Sequence, residues 1–224
     1  MNEQNLIEIK NLEFSYEQES ILRIPDWNLK KHSQIFLQGA SGSGKSTFLE
    51  ILSGVLKAQK GTYHFDQQEV SLMSDSQRDQ LRLNKISLVF QNFNLIPYLS
   101  VKENILLPFS LGAKFPSSPR ETQRLMDQLL SELGIESLKN QKAQNISHGQ
   151  AQRVAAIRAF IKQPLLLLAD EPTSALDENS REAFLKVLFQ LCEKMKTTLI
   201  FVSHDTTLKP MFTQNLSIKS GQFQ

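Results

Sequence analysis

The sequence predicts an α/β fold whose core is interrupted by a mostly helical insertion. Three observations carry that reading. The chain begins and ends in strand-like segments, its middle has helical patterning, and Leu165 to Ala169 is apolar without a break. A run of that last kind is what a strand buried on both faces of a parallel sheet requires.

The elements follow in order. Leu6 to Phe14 is largely alternating, and Ser33 to Gln38 is a short apolar-rich run ending at Gly39, so both read as strands. The pattern predicts a helix from about Lys45 to Ser53, stopped by Gly54, then strands at Thr62 to Phe65 and Ile86 to Phe90. The polar stretch Ser74 to Asn84 between those strands reads as partly helical. Val101 to Leu107 and Pro119 to Leu133 are helical in pattern, separated by a Gly/Pro/Ser stretch around Gly112 to Ser118. Ser118-Pro119-Arg120-Glu121 has the form of a capping box with proline at the first helical position. A third helix is expected after Ser147, ending before Pro164. The helix Glu178 to Met195, the strand Thr197 to Ser203 and a short hairpin close the chain. The insertion runs roughly from Asn92 to Gln163, which leaves a core of about 1–91 and 164–224 in a single domain, 1–224.

Composition narrows the function classes. With 224 residues, 40% hydrophobic and 21% charged, the chain has enough apolar material for one domain with a real core. Twenty-five basic against 23 acidic residues give a net charge of +2, which offers no electrostatic case for nucleic acid or anionic membrane. The longest clean apolar run, Leu165 to Ala169, is far too short to span a bilayer, and Met1 to Lys10 lacks a signal-peptide profile. A membrane role therefore requires docking on another chain. One cysteine, Cys192, excludes an internal disulfide and fits a reducing cytosol.

The chemistry concentrates in two motifs. Gly39-Ala40-Ser41-Gly42-Ser43-Gly44-Lys45-Ser46 matches G-x-x-x-x-G-K-[ST] where a predicted strand meets a predicted helix, followed by Thr47. Glycines there let the backbone curl so that its N–H groups face phosphate oxygens beside a helix N-terminus. Lys45 is placed for the β- and γ-phosphates, and the Ser46 hydroxyl for Mg2+. The apolar strand Leu165 to Ala169 ends in Asp170 and Glu171, beyond the carboxyl end of a parallel strand, where ligands of such sheets bind. One carboxylate can organise Mg2+ through water while the next polarises an attacking water. Two acids after an apolar run are by themselves more often a helix cap or turn. Together with the phosphate loop they describe a nucleotidase.

The intervening residues narrow that class. Asn145-Ile146-Ser147-His148-Gly149-Gln150, followed by Ala151-Gln152-Arg153-Val154-Ala155, resembles the signature motif of ABC ATPases. Glu171-Pro172-Thr173-Ser174-Ala175-Leu176-Asp177 matches that family's extended Walker B and D-loop. Gln91, His204 and Tyr16 each follow a strand where the family has its Q-loop glutamine, switch histidine and adenine-stacking aromatic. The resemblance spans essentially the whole chain. It implies an α/β phosphate-loop nucleotide-binding core with a small N-terminal antiparallel β region and an inserted helical subdomain. It also implies ATP and Mg2+ as cofactors, held by Tyr16, Gly39, Ala40, Ser41, Gly42, Ser43, Gly44, Lys45, Ser46 and Thr47. Ser147, Gly149 and Gln150 come from a second copy, in an ATP-sandwich dimer. Glu171, His204, Gln91 and Lys45 are the implied catalytic residues, and Ser46, Gln91 and Asp170 the implied metal residues.

Each of these positions also has a structural reading. Ser147 with Gln150 is a capping box in its own right. A lone histidine such as His204 is commonly a packing or surface residue, and Tyr16 can be strand filler. Base–aromatic stacking, worth about 1–3 kcal/mol per base, makes Tyr16 useful rather than decisive. His32 and His64 have no ligand-like spacing, and Trp27 reads as a packing residue. His148 departs from the family, which has glycine there. Its imidazole either crowds the approach of a partner's nucleotide, reaches that nucleotide as an extra donor, or points to solvent.

The segment Val89 to Ile105 resembles the branch of bacterial cassettes that serve lipoprotein release, macrolide efflux and cell division. That implies an integral membrane permease as partner and a peripheral place on the inner face of the cell membrane. Phe93, Leu95, Ile96 and Tyr98 are candidates for the groove that receives such a partner, with core packing as the alternative for each. A non-transporting regulatory cassette of a division or envelope complex fits the same residues. Soluble ABC proteins of DNA repair or translation fit less well, since the chain has one cassette and only a modest helical insertion.

Overall fold

The computed structural model describes residues 5–16 and 19–224 and divides into two compact units. The first runs to Arg82 and adds Leu168–Glu171 and Thr198–Gln224; the second comprises Leu83–Leu167 and Pro172–Thr197. No helix among the described residues is long and apolar enough to cross a membrane.

The first unit opens with strands β1 (Asn5–Tyr16), β2 (Glu19–Lys30) and β3 (Gln34–Gln38), then helix α1 (Lys45–Leu52), strands β4 (Lys60–Phe65) and β5 (Gln68–Glu69), and the start of α2 (Asp75–Lys85). β2, β1, β4 and β5 form an antiparallel sheet in that order. Alternation buries Ile7, Ile9, Leu12 and Phe14 on one side of β1. Its phase slips where Asn11 takes φ 48° and the register against β4 shifts between Lys10 and Glu13. The sequence reading had no strand at β2. There Leu22, Ile24 and Leu29 are buried while Pro25, Asp26 and Asn28 interrupt the apolar pattern. β2 lies at the edge of this sheet, where a proline is tolerated.

The second sheet is ordered β10-β9-β3-β8-β7-β6, where β6 is Ile86–Phe90, β7 Leu166–Asp170, β8 Thr198–Val202, β9 Gln214–Lys219 and β10 Gln222–Phe223. β3 pairs in parallel with both β8 and β9, and β9 with β10 forms the expected antiparallel closing hairpin. Leu166, Leu167, Leu168 and Ala169 are at most 1% exposed, as an uninterrupted apolar strand demands. In the first unit, Trp27, Phe48 of α1 and Phe223 meet edge to face with ring centroids 5.1–5.6 Å apart. Trp27 is the packing residue the sequence implied.

The second unit holds β6 and four helices: α3 (Val101–Ser110), α4 (Pro119–Glu132), α5 (His148–Phe160) and α6 (Glu178–Met195). Three of them start at complete capping boxes, Ser100–Glu103, Ser118–Glu121 and Ser147–Gln150, and Asp177 caps the fourth. α5 is the buried one, with Val154, Ala155, Ala156, Ile157 and Phe160 all at most 2% exposed. Pro108 lies two residues before the end of α3, whose last turn closes through Leu111 N–H to the Leu107 carbonyl and Gly112 N–H to that of Phe109.

Phe48 is fully buried in the aromatic trio, so Phe48→Ala is expected to cost about 3–5 kcal/mol. Urea unfolding of the purified chain measures this as a lowered midpoint with an unchanged slope.

Candidate active site

The phosphate loop is a closed turn between β3 and α1. Gly44 at φ 100° starts α1 without any side-chain cap, so the first amides of the helix are left for an external anion. A Cβ at Gly39 would lie 2.4 Å from Ser43 Oγ and 2.6 Å from the Ile218 carbonyl, and one at Gly44 would lie 2.9 Å from Leu22 Cδ2. Only glycine fits either place. The Lys45 ammonium donates to the carbonyls of Gly39 and Ala40, both at 2.8 Å, which holds its charge inside the turn. The closing hairpin braces the loop from outside, Gly221 N–H donating to the Ser43 carbonyl at 3.2 Å. Sequence reasoning missed β2, and it placed the hairpin without its bracing role, because neither carries a phosphate-binding residue type.

Across the same unit, β7 delivers the two carboxylates. Asp170 is the last residue of the strand, and Glu171 turns out of it at φ 46°, a left-handed conformation that costs a non-glycine residue about 1–3 kcal/mol. Its own N–H donates to the Val202 carbonyl at 3.0 Å, which fixes the turn against β8. His204 follows β8, and its Nδ1 lies 2.9 Å from Glu171 Oε2. The switch-histidine and water-polarising candidates are therefore in direct contact. Burial raises the Asp170 carboxyl above the ordinary aspartate value; the Glu171 charge raises it further, Lys45 counters, and Glu50 adds to the rise. This is a half-buried acidic pair with one lysine, an environment that favours an added cation.

Tyr16 ends β1 with its ring 46% exposed, set edge-on to Phe14, and its hydroxyl donates to Glu50 Oε2 over a long 3.5 Å. An exposed ring at a strand end is available for stacking. Glu50 is a site neighbour that sequence reasoning did not single out. Its position one helical turn beyond Ser46 and Thr47 was the available signal.

The second unit carries the remaining candidates. Gln91 directly follows β6 and is exposed. Ser147 Oγ accepts from Gln150 N–H at 3.3 Å, and Ser147 N–H donates to Gln150 Oε1 at 2.8 Å, so the capping reading of this pair holds. Gly149 is exposed, and a Cβ there would meet nothing within 4 Å. Asp177 caps α6 by accepting from the Ser180 N–H and hydroxyl. Phe93 is buried at 3%, which fits the packing alternative, whereas Tyr98 is 69% exposed. His148 is exposed, but its ring rests on Phe93, centroids 5.1 Å apart and planes at 52°. None of the three orientations considered from the sequence included that contact. The His32 backbone N–H donates to Thr198 Oγ1, and His64 Nε2 lies 3.8 Å from Glu69 Oε2.

The family described as ABC transporter matches residues 22–174. The chain belongs to the ABC transporter family. It is an ATP-binding cassette with ATPase chemistry. The bacitracin export ATP-binding protein of Halalkalibacterium halodurans is 36% identical over 97% of this chain and 86% of its own length. The lipoprotein-releasing system ATP-binding protein LolD of Idiomarina loihiensis is 33% identical over 96% of this chain and 95% of its own. The macrolide export ATP-binding/permease protein of Syntrophobacter fumaroxidans is 37% identical over 97% of this chain, which spans 31% of that longer protein. In structure, the chain superposes with TM-score 0.82 on the ATP-binding cassette MJ0796, solved as a dimeric post-hydrolysis state bound to ADP and Pi. That match is 31% identical and covers 97% of this chain and 96% of the other.

Lys45 holds its charge over the loop without packing in the core, so Lys45→Ala is expected to keep the fold and lose tight ATP binding. Circular dichroism with a fluorescent-nucleotide titration checks both halves; wild-type affinity overturns the assignment.

Proposed function

We propose that this cassette drives a separate membrane-embedded permease, working as a dimer with ATP held between two copies. The observation that carries the reading is the cluster of Lys45, Asp170, Glu171 and His204 beyond the ends of parallel strands in the first unit. One copy contributes Tyr16, the phosphate loop from Gly39 to Thr47, and Gln91. The opposing copy contributes Ser147, Gly149 and Gln150. The domain is single, 1–224, with a core of about 1–91 and 164–224 and an insertion of about 92–163.

Hydrolysis divides among few groups. Glu171 orients the attacking water and accepts its proton, and His204, already hydrogen-bonded to Glu171, senses the γ-phosphate. Lys45 and the amides of α1 balance the phosphate charge. Mg2+ fits these residues. No cluster of three or more acidic, histidine or cysteine side chains among the described residues could hold a metal alone, and Mg2+ characteristically takes one or two protein oxygens plus phosphates and water. Ser46 would donate an oxygen to the ion and Asp170 would organise it through water, and the bound ion would supply positive charge against the developing phosphate charge. The assignment of Gln91 to the metal rests on the sequence resemblance.

The relatives named for bacitracin export, lipoprotein release and macrolide export support an envelope-directed transporter of that branch. The cassette then sits peripherally on the cytoplasmic face of the cell membrane through its permease, and its near-neutral charge gives no role to nucleic acid. A regulatory, non-transporting cassette of a division or envelope complex is the second reading; the co-purifying membrane protein separates the two.

Glu171→Gln is expected to bind ATP normally, cut turnover by at least about a hundredfold, and accumulate an ATP-bound dimer. Size-exclusion chromatography with ATP and Mg2+, on the cassette docked on its membrane partner, reads this out. A variant that never dimerises there counts against the shared site.

A further inference from the structure

His148 and Phe93 meet at a place where two stretches of the second unit are already knitted together. The stretch after Gln91 turns through Phe93 and Asn94, both in left-handed conformations at φ 55° and 48°. Two consecutive non-glycine residues in that region hold only where neighbours enforce them. Arg158 of α5 supplies one restraint, its guanidinium donating to the carbonyls of Phe93 and Asn94. The His148 ring on Phe93 supplies another, at the opposite end of the same helix.

Downstream, the main chain continues the seam. Gln144 N–H donates to the Pro97 carbonyl at 3.0 Å, Ala143 N–H to Leu99 at 2.9 Å, Val101 N–H to Gln141 at 2.9 Å and Lys102 N–H to Lys139 at 2.9 Å. Asn104, fully buried, ties the loop to itself through the Ile96 N–H and the carbonyls of Ile96, Leu99 and Ser100. The residues that follow Gln91 are therefore bound to the residues that lead into Ser147 along most of their length. At the signature turn itself, the bond across the seam is a side-chain contact, His148 on Phe93.

We infer that His148 is a positioning residue, its ring seating the turn that carries Ser147 and Gly149 on the Phe93 turn that follows Gln91. The inference rests on the reading that Ser147 and Gly149 complete a second copy's ATP site. A loosened turn then presents its hydrogen-bond donors less often in the competent place, which weakens ATP engagement more than the chemical step. His148 is exposed, so the fold does not depend on it. An aromatic ring of any kind restores the seat, because the contact is ring against ring.

The test is a double-mutant cycle in steady-state ATP hydrolysis by the full chain. His148→Gly is expected to raise KM for ATP about three- to tenfold, with a smaller change in kcat and an unchanged melting midpoint. His148→Phe is expected to restore the wild-type KM. In a Phe93→Leu background, His148→Gly is expected to add nothing further, the signature of residues that act as a pair. Multiplying effects overturn the inference, as does a His148→Phe variant as impaired as His148→Gly, or a His148→Gly variant with wild-type or lower KM. Should Phe93→Leu misfold, the comparison of glycine with phenylalanine at the exposed position 148 still decides. Ser147→Arg serves as the separate control. If it leaves turnover intact, the shared-site reading itself fails. If it stops turnover while the cycle multiplies, only the seating role of His148 is lost.

Discussion

A lysine bonded to the carbonyls of its own loop sets the terms for the rest of the first unit. Lys45 donates to Gly39 and Ala40, so the turn closes around a fixed positive charge, and the amides at the start of α1 lie beside it without a competing side-chain cap. This geometry requires close approach on every side. Gly39 runs against Ser43 and the Ile218 carbonyl, Gly44 against Leu22, and Gly221 hydrogen-bonds to Ser43. A short antiparallel sheet and a terminal hairpin, neither of which holds a reacting group, thus determine where the Lys45 charge sits. The aromatic trio of Trp27, Phe48 and Phe223 fastens both to α1.

The carboxylates answer that charge and exceed it. Asp170, Glu171 and Glu50 act on the same region as one lysine, and the Asp170 carboxyl is raised because burial and its acidic neighbours outweigh Lys45. Such a site is electrostatically incomplete on its own, and it favours an added cation. Glu171 adds a geometric cost to the electrostatic one, its left-handed turn being held by the Val202 carbonyl. Unfavourable charge and backbone strain concentrated at the end of one strand are what a preorganised catalytic site looks like when read as energy.

Much of this was legible because the informative residues are local. The phosphate loop, the apolar strand ending in Asp170, and the boxes at Ser118 and Ser147 each lie within a few consecutive residues, and periodicity placed the elements that carry them. What stayed hidden depends on contacts between distant segments. β2 runs for twelve residues beside β1, yet Pro25, Asp26 and Asn28 blur its side-chain alternation. Glu50 matters because α1 turns it toward Tyr16 and the carboxylates, a relation that exists only in the folded unit. His148 was visible as a departure from the family's glycine, but its partner Phe93 lies far earlier in the chain, so the sequence offered orientations without the one contact that occurs.

Gly149 carries the argument beyond the single chain. A glycine ordinarily marks backbone crowding or a positive φ, yet a Cβ at Gly149 would touch nothing, and the residue lies within the first turn of α5. The capping box uses the Gln150 amide and the first helical bond uses that of Ala151, while neither uses the amides of His148 and Gly149. These donors stand at the positive end of a helix dipole, on an exposed turn, with no side chain at Gly149 to obstruct an approach. Free first-turn amides are shared by helix N-termini generally. What sets this one apart is the missing side chain at Gly149, and in the proposed dimer a second copy's nucleotide is the anion that would meet it.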